Sequence, residues 1–144
     1  MNRYRITIFV TASILIILLL ACAPAAKPGA TVTVTCDQFS KQAHIVQDVT
    51  ATVGSTITVT LCSNPTTGFQ WGEQTQISNA QVLKQTSYKV VGPANTGMAG
   101  APGTEVWTFQ ALQAGASSVS FSYGRPWEGG EKGVETFKLN VTVQ

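Results

Sequence analysis

Charge is scarce in this 144-residue chain: Asp, Glu, Lys and Arg together make up 11% of it. There is one histidine, His44, and there are three cysteines, Cys22, Cys36 and Cys62. Each shortage removes a class of function. So few His and Cys side chains cannot furnish most metal centres or most nucleophilic triads. The formal charge of +2 depends on Arg3 and Arg5, which lie in an N-terminal segment expected to be removed. Without them, 9 − 2 = 7 basic residues face 7 acidic ones. A neutral chain has no electrostatic footprint for nucleic acid. After Cys22 no segment shows a helical period, and no internal repeat or low-complexity block is evident. The chain does not read as an enzyme, and no metal, cofactor or nucleic-acid partner is expected.

What the chain does have is alternation. Apolar residues make up 44% of it, 13 residues are glycine, and Thr, Val and Ser are abundant. Thr31–Thr35 and Thr56–Leu61 place threonines on one face and aliphatics on the other, the period-2 mark of a half-buried strand. Ser118–Tyr123 and Phe137–Val143 repeat the pattern. Val46–Val53, Phe69–Gln74, Val82–Val91 and Glu105–Leu112 are less regular but rich in β-formers. A length that fits one domain, with strands that each carry one apolar face, implies two sheets packed together. The fold expected is all-β, an immunoglobulin-like β-sandwich of about seven or eight strands. Trp71, Trp107 and Phe109 sit inside strands and are expected in the core, and His44 on the surface.

The one long apolar run is at the N-terminus. Arg3 and Arg5 precede Ile6–Leu20, a stretch shorter than the roughly 20 residues a spanning helix needs. It ends in Leu19-Leu20-Ala21-Cys22, which resembles a bacterial lipobox, where cleavage before the cysteine is followed by acylation of its thiol. An ordinary secretory signal cut elsewhere, or an uncleaved anchor, are the other possibilities. The favoured division is a signal peptide over 1–21, lipidated Cys22 with a short Pro/Ala-rich tether over 22–30, and a globular domain over 31–144. Two or more acyl chains anchor stably where one does not. The chain is then an extracytoplasmic, membrane-anchored lipoprotein with a mature length of 144 − 21 = 123 residues. Lipid consumes Cys22 and leaves Cys36 and Cys62 as an even pair in an oxidising compartment, so a disulfide is expected. Cys36 shares strand parity with Val32 and Val34, whereas Cys62 is out of phase with Ile57, Val59 and Leu61. A bulge or a strand end near Cys62 is therefore required to bring the sulfurs together.

Three connections have unusual composition. They are Ser63–Gly68, the Gly/Pro-rich stretch Gly92–Thr104, and Gly124–Gly130. Counted along the strands, all three can fall at one end of the sandwich, the arrangement in which a rigid scaffold presents binding loops. Trp127 beside Arg125 in a Gly/Pro-flanked loop has the composition of a binding hot spot. Glu128, Glu131 and Glu135 near Lys132 read as a solvated loop rather than an acid/base pair.

In order along the chain, these loops resemble the chagasin family of cysteine-protease inhibitors. Asn64-Pro65-Thr66-Thr67-Gly68-Phe69, followed by Trp71, matches the family's NPTTG-aromatic-x-Trp signature. Gly100-Ala101-Pro102-Gly103, followed by Phe109, matches G-x-G-G-x5-F except that Pro102 replaces a glycine. Arg125-Pro126-Trp127 matches the Arg-Pro-aromatic triplet. The resemblance covers Thr31 to Val143. It implies a monomeric, reversible inhibitor that inserts three loops into the active-site cleft of papain-like proteases, with Thr66, Thr67 and Gly68 over the catalytic cysteine. Asn64-Pro65 would stiffen the turn, and Gly68 permits a backbone angle that a Cβ forbids. Arg125 would bond across the interface or brace its own loop. Pro102 has no N–H to donate, so a strand-like hydrogen bond from that position is lost. The competing expectation is a surface lipoprotein module whose loops bind a peptide, glycan or envelope component.

Overall fold

The computed structural model describes residues 27, 29–93 and 100–144. The leader, Cys22 and most of the tether lie outside them. Nine strands and one short helix follow in order: β1 (Ala30–Val34), α1 (Cys36–Lys41), β2 (His44–Ala51), β3 (Thr56–Ser63), β4 (Gln70–Trp71), β5 (Gln76–Ile77), β6 (Leu83–Val91), β7 (Gly103–Ala111), β8 (Gly115–Gly124) and β9 (Glu135–Val143). One sheet has the order β1-β3-β7-β6 and the other β2-β9-β8-β4, with β5 also pairing to β8. Two pairs, β1 with β3 and β2 with β9, are parallel, and the rest are antiparallel.

This is the expected sandwich, with nine strands because Phe69–Gln74 is not one strand. It yields only two-residue β4, and the separate two-residue β5 was not anticipated. Alternation is obeyed closely in β7, whose Glu105, Trp107, Phe109 and Ala111 all point inward. Trp107 of β7 meets Phe121 of β8 edge-on across the two sheets at 4.9 Å, and Phe121 packs beside its strand partner Phe137 at 5.6 Å. Trp71, Trp107 and Phe109 are fully buried, as expected, and His44 is exposed.

The helix is a correction. No helical segment was expected after Cys22, yet α1 forms over six residues. Six residues are too few to show a period. Its signal is local: a capping box, in which the Thr35 hydroxyl accepts from Gln38 N–H and the Gln38 side chain accepts from Thr35 N–H. That helix also resolves the cysteine phase problem. β1 ends at Val34, paired with Leu61, so Cys36 escapes strand parity by entering the helix. The Cys36–Cys62 disulfide closes with the Cα atoms 5.2 Å apart, and β3 needs no bulge.

Register fixes which loops share a pole. Ser63, ending β3, is paired with Gly103, which opens β7, and Val91 ends β6 beside Thr104. Gly124 at the end of β8 pairs with Gln70 of β4, and Tyr123 with Glu135 at the start of β9. All three unusual connections therefore meet at one end, together with α1. Ala30, the Thr52–Ser55 turn, the Ala111–Gly115 hairpin and Gln144 gather at the other. The eight residues of β3 put about 26 Å between the two poles.

Candidate functional site

The first loop, Asn64–Phe69, is a single 3₁₀ turn over Pro65–Thr67, closed by Gly68 in the left-handed region at φ 78°. Proline at its first position and glycine at its end are the residues this turn requires. It satisfies itself: Thr67 N–H and its hydroxyl both donate to the Asn64 carbonyl, at 3.1 and 2.7 Å. Thr66 Oγ1 donates to Asn64 Oδ1 at 2.6 Å, and Gly68 N–H to the Pro65 carbonyl at 3.1 Å. Pro65, Thr66 and Thr67 are exposed at the tip.

The base of this loop is held from below by a residue that sequence reasoning missed. Glu105 is buried, and its Oε1 accepts from Ser63 Oγ at 2.6 Å and from Trp71 N–H at 3.1 Å. Those two donors stand on either side of the loop, so one carboxylate oxygen pins both ends of its stem. Trp71 Nε1 donates to the Cys62 carbonyl at 2.8 Å, and the disulfide ties Cys62 to α1. Tyr88 donates its hydroxyl to Glu105 Oε2 at 2.7 Å. Its phenol is held well above its usual range by burial first and by that carboxylate second. The signal for Glu105 was its inward parity with Trp107 and Phe109.

The second and third loops are fastened to the first. Asn64 Nδ2 donates to the Gly100 carbonyl at 3.0 Å, and Asn64 N–H donates to the Tyr123 hydroxyl at 2.9 Å. Residues 94–99 of the second loop lie outside the described residues. Gly100 and Pro102 are exposed and Ala101 is half-buried. Gly103 is buried at the start of β7, where a Cβ would stand 2.4 Å from the Val91 carbonyl oxygen. In the third loop the Arg125 guanidinium lies 4.5 Å from the centre of the Phe69 ring and 5.7 Å from that of Trp127. Phe69 stacks in turn on Tyr123 at 5.7 Å. Arg125 thus braces its own loop. Trp127 packs against Gly68, where a Cβ would come within 2.9 Å of its ring, yet half of its surface stays exposed. Lys132 Nζ donates to the carbonyls of Arg125 and Trp127 and draws the loop shut, a role not foreseen for it. Glu128 and Glu131 are exposed, as expected, whereas Glu135, expected in the same solvated loop, is half-buried at the start of β9.

Asn64, Pro65, Thr66, Thr67, Gly68, Phe69, Gly100, Arg125, Pro126 and Trp127 therefore form one continuous ridge, with Phe69 and Arg125 as its internal ties. A family model described as chagasin family peptidase inhibitor I42 matches residues 50–141. The chain belongs to the chagasin family of peptidase inhibitors. Chagasin of Trypanosoma cruzi is 32% identical over 102 residues, covering 68% of this chain and 90% of chagasin. Among solved structures, the cysteine protease inhibitor EhICP2 from Entamoeba histolytica aligns with a TM-score of 0.59 at 21% identity. That alignment covers 81% of this chain and 97% of EhICP2. PbICP-C, solved in complex with falcipain-2, aligns at 0.57 and 17% identity over 78% of this chain and 99% of its own. These two show the shared fold. Family membership places the chain among inhibitors rather than enzymes, in keeping with its sparse His and Cys.

Proposed function

We propose that this chagasin-family chain is a reversible inhibitor of papain-like cysteine proteases and that the ridge of three loops occludes the protease cleft. The observation that carries this reading is the ridge itself. Three separate motifs are bonded into one pre-shaped projection whose exposed side chains include Thr66, Thr67 and Trp127. A wedge that is already rigid loses little entropy on docking. Thr66 and Thr67 each spend a hydroxyl proton inside the turn, so the tip stays in one shape against a thiolate. Blocking the cleft without presenting a scissile carbonyl in attack geometry requires no covalent step. The protein acts as a monomer, through Asn64–Phe69, Gly100–Gly103 and Arg125–Trp127.

The same reading holds the domain outside the cytoplasm by a lipid on Cys22 after removal of residues 1–21, with 22–30 as the tether. Geometry supports this division of labour. Ala30 opens β1 beside Ile57, and Lys27 Nζ donates to the Val53 carbonyl at 2.7 Å, both at the pole opposite the ridge. An anchor there leaves the loops facing away from the membrane. Titration of the full chain, in mild detergent, against papain and a cathepsin tests the inhibition. Both should be inhibited while trypsin is not, and papain-like enzymes that ignore the chain would end the proposal. Cys22→Ser should release the protein from the membrane fraction and leave inhibition intact. A variant that stays in the membrane would show residues 6–20 acting as the anchor instead.

A further inference from the structure

The ridge has a neighbour that its three motifs leave out, and the role assigned to that neighbour rests on the inhibitory reading of the ridge. Between the first loop and α1 lies a cavity of about 240 Å³. Buried Phe39 and the half-buried Cys36–Cys62 disulfide give it apolar walls, and Ser40, Thr67 and Glu135 contribute oxygens. Ser40 and Thr67 have no protons to spare, whereas the Tyr123 hydroxyl, also in the wall, accepts from Asn64 N–H and keeps its own proton. Ser40 Oγ donates to the Asp37 carbonyl at 2.9 Å, and Thr67 Oγ1 to the Asn64 carbonyl at 2.7 Å. Asn64, at the same wall, spends its N–H on Tyr123 and its amide on Gly100. Among the described residues no donor is placed on the Glu135 carboxylate. A cavity with apolar walls, a carboxylate and hydroxyls whose protons are mostly spent complements a cation on an aliphatic stem.

We propose that this cavity is a fourth contact of the inhibitor, receiving a lysine or arginine side chain from the rim of the protease cleft. Glu135 meets the cation, and Phe39 with the disulfide flanks the stem. Continuity supplies the occupant: Thr67 belongs both to the tip and to the cavity wall, so a protease seated on the tip also covers the cavity. The α1 wall comes from ahead of residues 50–141, which match the family, so this contact would separate proteases with a basic rim from those with an acidic one. Glu135 also bears the mark of a group kept for binding. Burial raises its carboxyl above the ordinary range, so its charged form is less favourable in the folded state at neutral pH than in the unfolded chain. Its isosteric replacement should therefore not lower stability, which separates a binding role from a structural one.

The test compares the full chain in mild detergent with its Glu135→Gln and Ser40→Arg variants. Inhibition constants are measured against papain and a panel of papain-like proteases, and thermal unfolding is followed alongside. Glu135→Gln should weaken inhibition of at least one panel member by about tenfold while melting no lower than the parent. Ser40→Arg, which supplies the chain's own cation to the cavity, should weaken the same member further. If both variants inhibit every protease as the parent does, the fourth contact is overturned although inhibition by the ridge stands. A parent that inhibits no panel member overturns both.

Discussion

The first and third loops stand side by side at one pole and are held in opposite ways. Asn64–Phe69 is bolted from beneath: buried Glu105 grips both ends of its stem, and Trp71 and the disulfide secure the strand ends beside it. Arg125–Gly130 is drawn together from the outside. There, exposed Lys132 reaches back to two carbonyls, and Arg125 pairs loosely with Glu131 at 3.9 Å. A loop braced by buried groups shares the stability of the core. A loop braced by exposed groups can loosen while the core stays folded. The first can carry small, stiff residues at its tip, whereas the third needs a large aromatic leaning on Gly68 to hold its place.

The largest effect should come from cutting the buried brace. Glu105→Ala strands the Ser63 hydroxyl, the Trp71 N–H and the Tyr88 hydroxyl. It should lower unfolding free energy by at least about 3 kcal/mol in denaturant titration. A variant as stable as the parent would mean that the carboxylate does not hold the stem. Next come the tips. Thr67→Arg and Trp127→Ala should each raise the inhibition constant for papain about thirtyfold or more, with melting temperature unchanged. Equal inhibition by Thr67→Arg would move the tip elsewhere.

Loosening the outer brace should do less. Lys132→Met should weaken inhibition about threefold without altering global unfolding, and Glu131→Gln should be silent, because exposed pairs contribute little. A global loss of stability in Lys132→Met would erase the contrast between the loops. The smallest effect concerns pH. The folded-state pKa of Tyr88 is raised above its unfolded value of about 10, so its contribution is intact below that pH and is lost as pH climbs past it. Tyr88→Phe should flatten the alkaline fall in stability, read from melting curves between about pH 9 and 11.

Much of the ridge was legible because the residues a turn needs are chemically unusual. Proline at the entry of the 3₁₀ turn and Gly68 at its left-handed end, beneath Trp127, each answer a backbone demand few residues can meet. The braces were not legible. Tyr123 reads as one more inward residue of β8 and Lys132 as a solvated charge. Nothing local says that the first reaches Asn64 and the second two carbonyls. Gly103 sits within the second motif, yet its demand comes from the Val91 backbone on the neighbouring strand.

Alternation, turn chemistry and the cysteine count are properties of neighbours along the chain. They already point to two sheets, to a bridge between Cys36 and Cys62, and to three loops of marked composition. Which residues meet across the sandwich is a property of the folded chain alone. Register brought the three loops to one pole, and the turn of Cys36 into α1 set the disulfide beside the first of them. A carboxylate at position 105 became a clamp only because β3 and β4 bring Ser63 and Trp71 within reach of it. Hydrogen bonds act over about 3 Å, and residues 34 or 42 positions apart come that close only when the whole chain has folded.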